Sequence, residues 1–249
     1  MRHTGGIGTM AIEDTIRDIL NREGVDEYGY VDQSRYDEAA PPGHRLRDQL
    51  DVASSAVVYL LPVRNHVIDH FPGTYAGSDY EAYVMEKRGV STRLHSIGET
   101  LSDYLQAMGH PAIDVPRGSQ NYRGPVSLKH LAVHAGLGYL GKNSLLINPW
   151  YGPRLRIGAV ITAFQPSSYG SCHEGGRICE TCNLCIMACP AGALLAPERP
   201  GKYCISIETC HSHFCDMKGI LRKVENADVN CGFCMRACPA GNHAPLWEY

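Results

Sequence analysis

The first 171 residues of this 249-residue chain contain no cysteine; all eleven lie between Cys172 and Cys238. A secreted disulfide scaffold is shorter and spreads its cysteines more widely, so the block reads as metal ligation in a reducing compartment. The chain also lacks any apolar run near the roughly 18 residues a membrane span needs. Its opening, MRHTGGIGTMAIEDTIRDIL, has no uninterrupted apolar stretch of the secretory kind. A soluble, cytoplasmic protein without a membrane partner is expected. Nor is positive charge in excess: 23 Lys and Arg against 26 Asp and Glu leave a net charge of −3. There is no overall basic field to hold nucleic acid.

What is present is a globular balance, with 44% hydrophobic and 20% charged residues. The length allows one domain plus a smaller one. Composition places the division at 1–168 and 169–249, the second part being rich in Cys, Gly, Pro and His. In the first part, Ile12, Ile16, Ile19 and Leu20 recur at helical spacing, and Gly24 stops that helix. GVDEYGYVDQ is strand-like, Ala56–Leu61 is a continuous apolar run typical of a buried strand, and 79–105 reads as one or two helices capped by Ser78 or Asp79. PAIDVP is extended, Val126–Ala135 is helical, and RLRIGAVITAF is a β-branched strand. Helices and strands alternate, so the fold class is α/β or α+β.

The cysteines carry the chemistry. Cys179-x2-Cys182-x2-Cys185-x3-Cys189-Pro190 is followed 49 residues on by a near repeat, Cys231-x2-Cys234-x3-Cys238-Pro239, each closed by Pro-Ala-Gly. The first array is the bacterial ferredoxin run, in which three close thiolates cap one [4Fe-4S] cubane and the fourth crosses to the other. The proline after that fourth cysteine suits the start of a helix leading away. Pseudo-symmetry then gives the first cluster Cys179, Cys182, Cys185 and Cys238. The second takes Cys189, Cys231, Cys234 and one of Cys204, Cys210 or Cys215. A four-thiolate zinc site is the alternative for two C-x2-C pairs, but it leaves the repeated Cys-Pro-Ala-Gly ending unexplained.

A ferredoxin of two clusters does not need the preceding domain, so that domain is the expected seat of an electron acceptor. The candidate is GLGYLGKNSLLINP, where Gly136, Gly138 and Gly141 permit sharp turns and Lys142, Asn143 and Ser144 follow with donors. It is not a dinucleotide fingerprint, because no acidic residue stands about 20 positions on.

GLGYLGKNSLLINP, followed by a strand and the double cysteine array, resembles the epoxyqueuosine reductases. INPWYGPRLRIGAVIT resembles the catalytic part of the reductive dehalogenases. GVDEYGYVD, SAVVYLLPV, RGPVSLKHLAVHAGLG and KYCISIETC extend the likeness from about residue 12 to 241. The resemblance implies an α+β fold: a nitroreductase-like cobalamin-binding domain followed by a bacterial ferredoxin-like domain with two [4Fe-4S] clusters. It implies a cobalamin between the two, reduced through the clusters by an external donor of ferredoxin or flavodoxin type. It maps Cys204 onto the remaining cluster ligand, and Gly138, Gly141, Lys142, Asn143 and Ser144 onto cofactor contacts. It implies an oxidoreductase acting on a small or nucleoside-type substrate, the alternatives being a dehalogenase-like enzyme and an electron-transfer protein without its own substrate.

Two departures stand out. Epoxyqueuosine reductases typically carry an aspartate proton donor at the position of Tyr122, and here a tyrosine beside Arg123 is the candidate general acid. Only eleven residues follow Cys238, where those enzymes continue into helical repeats that grip tRNA. With a pI near 6.4, tRNA is the less expected substrate. No twin-arginine export signal is present, against respiratory dehalogenation.

The remaining candidates have plainer readings. Arg154 and Arg156 flank Leu155 on a strand and share one face, toward a phosphate or propionamide of the cofactor or toward solvent. His130 and His134, and likewise His66 and His70, sit four apart without the glutamate of a zinc-protease helix. His211 and His213 read as loop residues. Met187 and Met235 occupy matching repeat positions and are expected to pack against the clusters.

Overall fold

In the computed structural model, residues 5–70, 78–116, 124–172, 177–195, 205–218 and 231–241 are described. The centre is a four-stranded antiparallel sheet in the order β1-β2-β6-β3. These strands are Tyr28–Asp32, Ser55–Pro62, Leu155–Thr162 and Ala112–Asp114. Strand β2 lies between β1 and β6 and is buried over all but its last residue. That is why its sequence is apolar throughout rather than alternating: successive side chains point to opposite faces, and both faces are covered.

Two helical layers do the covering. On one face, Val57, Tyr59, Leu61 and Val160 pack with Ile12, Ile16 and Leu20 of α1 (Gly5–Arg22) and with Leu94, Ile97 and Leu101 of α5 (Ser78–Ala107). On the other, Ala56, Val58, Leu60, Ala159 and Ile161 meet Tyr36 of α2 (Gln33–Ala39), Leu46 of α3 (Leu46–Gln49) and Leu131 and Ala132 of α6 (Leu128–His134). Ser127 caps α6, accepting from the backbone N–H of His130. The strand and helix expectations for the first part of the chain hold in position, and 79–105 lies in one continuous helix, with Ser78 and Asp79 inside its first turn rather than capping it. Helices α2, α3 and α4 (Asn65–Asp69) and the two-stranded hairpin β4 (Tyr139–Leu140) and β5 (Leu146–Ile147) go beyond those expectations. They are too short to show a period.

The cysteine segment contributes α7 (Arg177–Thr181), α8 (Leu184–Met187), α9 (Ile207–Lys218) and α10 (Phe233–Arg236). Helices α8 and α10, the two copies of the repeat, pack against each other. Three expectations are corrected here. Cys189-Pro190 leads into a turn rather than a helix, since the chain must pair Leu194 with Ile205 further on. His211 and His213 lie inside α9, not in a loop. Met187 is 79% exposed whereas Met235 is 5% exposed. The repeat is thus broken by its surroundings: only the second copy faces Val67, Tyr80 and Tyr83 of the first domain.

Candidate iron–sulfur and cofactor site

Thiol groups crowded together in a protein interior resist ionisation, each discouraging its neighbours' charge. That mutual influence sorts the cysteines. Burial, then Cys179 and Cys182, push the Cys185 thiol up. Burial pushes Cys238 up to about 12, the Ala240 N–H pulls the other way, and Cys179, Cys185 and Cys182 add to the rise. These four form one group, and Cys238 has crossed into it from the second motif. Burial likewise raises Cys234 to about 12, with Cys231, Cys210, Cys185 and Cys189 adding to it. Burial raises Cys210 to about 11, with Cys231 and Cys189 adding to it and Lys129 opposing. Cys189, Cys231, Cys234 and Cys210 thus form a second set, although Cys185 of the first array bears on Cys234 as well.

Cys185 and Cys238 are buried and the other thiols of the two sets are half-buried, all of them potential donors. An iron–sulfur core supplies the positive charge that turns them into thiolates. Backbone N–H groups already point at two of the sulfurs, Ala193 donating to Cys189 at 3.3 Å and Ala240 to Cys238. Thiols are the donor type of iron–sulfur ligation, although among the described residues no three metal-ligating side chains already converge on one ion-sized point. Cys204 lies outside the described residues, as does the side chain of Cys215, and Cys210 on α9 stands with the second group. Cys172 is exposed.

The Cys231–Cys234 loop has a strict backbone requirement. Gly232 sits at φ +75° as N-cap of α10, and a Cβ there would come within 2.5 Å of the Tyr83 hydroxyl. Tyr83 is 1% exposed and cannot move aside. Gly232→Ala combines a left-handed conformation, costing roughly 1–2 kcal/mol, with that overlap. We expect iron bound per chain to fall by about half, as measured by iron analysis of anaerobically reconstituted protein.

The glycine turn lies against the first thiol group. Gly138 takes φ +147°, and a Cβ there would run into the Ile147 carbonyl. Ile147 packs with Cys238 and Ala240. The hydroxyl of Tyr139 is pushed up by burial and by Cys179, Cys238 and Cys182. Lys142 Nζ donates to the carbonyls of Glu180 and Cys182, both at 3.1 Å, and to Asn183 Oδ1 at 3.0 Å. Asn143 Nδ2 donates to the Cys234 carbonyl at 3.4 Å, and its Oδ1 accepts from Leu145 N. Ser144, at φ +57°, offers its carbonyl to Lys129 Nζ at 2.6 Å. Gly141 is buried with Asn143 Oδ1 and Ile147 beside it. The turn is a joint between the sheet domain and the cysteine segment.

Arg154 is 1% exposed and belongs to the same joint. Its guanidinium donates to Asp69 at 2.7 Å, to Asn65 Oδ1 and to the Arg236 carbonyl. Among the described residues the turn is packed and does not form an open cradle for a corrinoid; the polar side chains expected there have protein partners. Tyr122 lies outside the described residues. A cleft of about 530 Å³ opens instead between α4 and α5, lined by residues including Arg64, His66, His70 and Glu86. His130 shares a hydrogen bond with Ser127 Oγ, and His134 stands edge-on to Tyr36. Burial, first of all, lowers both imidazole pKa values, and both rings are engaged with protein partners in the packing of α6. Lys129, Lys87, Tyr80 and Tyr83 also belong to these surroundings, and no motif points to them: they sit in ordinary helical patterns with no spacing signal of their own.

No family model matches the chain. It is 37% identical over 130 residues to the epoxyqueuosine reductase of Listeria monocytogenes, covering 51% of this chain and 32% of that protein. It is 30% identical over 219 residues to the epoxyqueuosine reductase of a Synechococcus strain, covering 84% of this chain and 62% of that one. Among solved structures, a reductive dehalogenase whose structure suggests a mechanism for B12-dependent dehalogenation matches with a TM-score of 0.68 at 20% identity, over 92% of this chain and 32% of its own. The epoxyqueuosine reductase of Bacillus subtilis matches with 0.63 at 20% identity, over 97% and 68%. A further epoxyqueuosine reductase, bound to an epoxyqueuosine-modified tRNA stem loop, matches with 0.63 at 19% identity, over 95% and 67%. The matched part of the chain spans a third to three fifths of these two sequence relatives. The resemblance carried by the motifs therefore stands: the chain is related in sequence to the epoxyqueuosine reductases and shares its α+β fold with them and with the reductive dehalogenases. No helix among the described residues is long and apolar enough to cross a membrane.

Proposed function

We propose that the chain is an iron–sulfur oxidoreductase in which two [4Fe-4S] clusters pass electrons to a corrinoid, seated elsewhere than on the packed glycine turn, and so to a small or nucleoside-type substrate. The observation that carries this is the placing of Cys238 with the first array: it packs with Ile147 and Tyr139, and Cys179 and Cys182 reach the same tyrosine. It is the arrangement of a two-cluster electron wire, and here it is bolted onto a sheet domain through Lys142 and Arg154. The corrinoid is supported by the sequence relationship and by the fold shared with a B12-dependent dehalogenase. An external one-electron donor of ferredoxin or flavodoxin type completes the scheme. The division at 1–168 and 169–249 is supported by where the described sheet ends and the cysteine elements begin. A net charge of −3 weighs against tRNA as substrate.

Anaerobic reconstitution with iron, sulfide and hydroxocobalamin, followed by desalting, tests the reading. We expect about eight irons and about one cobalt per chain. Iron-loaded protein that releases all cobalt removes the corrinoid, and protein that takes up only zinc removes the clusters as well. If Tyr122 is the proton donor, Tyr122→Phe abolishes turnover while both metal contents stay unchanged. Undiminished turnover dismisses that role.

A further inference from the structure

Helix α6 joins the sheet to the glycine turn. Its Leu131 and Ala132 pack into one core with Val31, Val58 and Ala159 of the sheet, and that core also takes in Leu146 of β5. Lys129 ties the helix to the turn through the Ser144 carbonyl at 2.6 Å. On this seven-residue helix two imidazoles stand one turn apart. His130 Nδ1 lies 2.8 Å from Ser127 Oγ, the oxygen that caps the helix. The Ser127 N–H donates to the Tyr36 hydroxyl at 3.0 Å, and the Tyr36 ring meets His134 edge-on with centroids 5.6 Å apart. One chain of contacts therefore runs from ring to cap to hydroxyl to ring along α6.

Both rings are half-buried, and burial makes a charged imidazole costly. The groups whose charge adds to that cost are basic: His134, once protonated, and Lys129 bear on His130, and Arg35 bears on His134. From the neighbouring elements, Asp32 of β1 accepts from Arg35 N and Asp37 of α2 accepts from Leu46 N. Arg156 of β6 bears on Tyr83, and Tyr139 of β4 feels Cys179 and Cys238. Strand β2 presents Ala56, Val58 and Leu60. We propose that α6 is an acid-sensitive latch: with His130 and His134 neutral it holds the glycine turn and the β4–β5 hairpin on the sheet, and their protonation releases it. Each imidazole takes up a proton less readily in the fold than in the unfolded chain, so the unfolded chain binds protons first as pH falls. The stability owed to the neutral rings is full above the ordinary imidazole range around 6.5 and is lost as pH falls through and below it.

The test compares urea unfolding of the full chain at about pH 7.5 and about pH 5.5, with parent and variant at equal iron content. Combining His130→Asn with His134→Phe keeps a hydrogen-bonding group beside Ser127 and a ring beside Tyr36, and neither replacement can take up a proton. On acidification the unfolding constant of the parent should rise about tenfold more than that of the double variant. Hydrogen exchange, corrected for its own pH dependence, should place the parent's first loss of protection at 127–147, ahead of β2. Should the double variant fail to fold, His134→Phe alone should still remove part of the acid response. An acid response equal in parent and variant, or protection lost at once throughout the parent, overturns the latch. The comparison holds whatever the cysteines bind, so its failure leaves the proposed function intact.

Discussion

Cys238→Ala, made in the second cysteine motif, is expected to abolish the first cluster. Iron in reconstituted protein should fall from about eight to about four per chain, and the surviving signal should be that of the second cluster. The reason is the crossing. Cys238 follows Cys234 by one helical turn, yet the thiols that weigh on it are Cys179, Cys185 and Cys182. Helix α10 ends at Arg236, and the turn after it carries Cys238 onto Ile147 and Ala240, away from Cys231. Cys189→Ala should give the mirror result. Cys238 is 8% exposed beside Ile147, Ala240 and Tyr139, and replacing its sulfur removes little volume. The metal-free variant should therefore melt near the metal-free parent, so that lost iron reports lost ligation. Loss of the second cluster alone, or retention of about eight irons, would refute the crossing.

The crossing is an expectation that the amino-acid sequence itself supplies, because ligand spacing is a local property fixed by the reach of a few residues. The sheet domain is legible for a related reason. Ala56–Leu61 can only be a strand covered on both sides, and Ile12, Ile16 and Leu20 can only be one helix face. What the residues do not reveal is where long polar side chains go once the two parts meet. Lys142 and Arg154 look like ligands for a cofactor because both are cationic and both follow or flank turns. In the structure their donors end on carbonyls and on Asp69. Met187 and Met235 look equivalent because the repeat makes them so, but burial depends on a neighbour, and only Met235 has Tyr83 and Val67 beside it. Spacing cannot carry that information.

Lys142 offers the sharpest way to tell the joint from a cofactor contact. Helix α7 is five residues long and ends at Thr181, so its last carbonyls need donors from elsewhere. The ammonium reaching across from the glycine turn serves this end of the helix, each of its three N–H groups matched by one acceptor, at Glu180, Cys182 and Asn183. Positive charge at a helix C-terminus is also where the peptide dipoles favour it. A hydrogen bond to a charged group contributes about 1.5–3 kcal/mol, less here because the side chain is only half-buried. Three together tie down the backbone around Cys182, close to Cys179. Lys142→Met keeps the length and apolar stem but none of the donors. It should lose most of the first cluster, leaving about four irons, and its iron-loaded form should melt lower than the parent. Arginine should rescue only in part, since a planar fork cannot reproduce three tetrahedral donors. If Lys142 instead served a corrinoid directly, the methionine variant would retain about eight irons and release cobalt. Iron and cobalt measured on one sample therefore separate a clamp on the cluster loop from a hand on the cofactor.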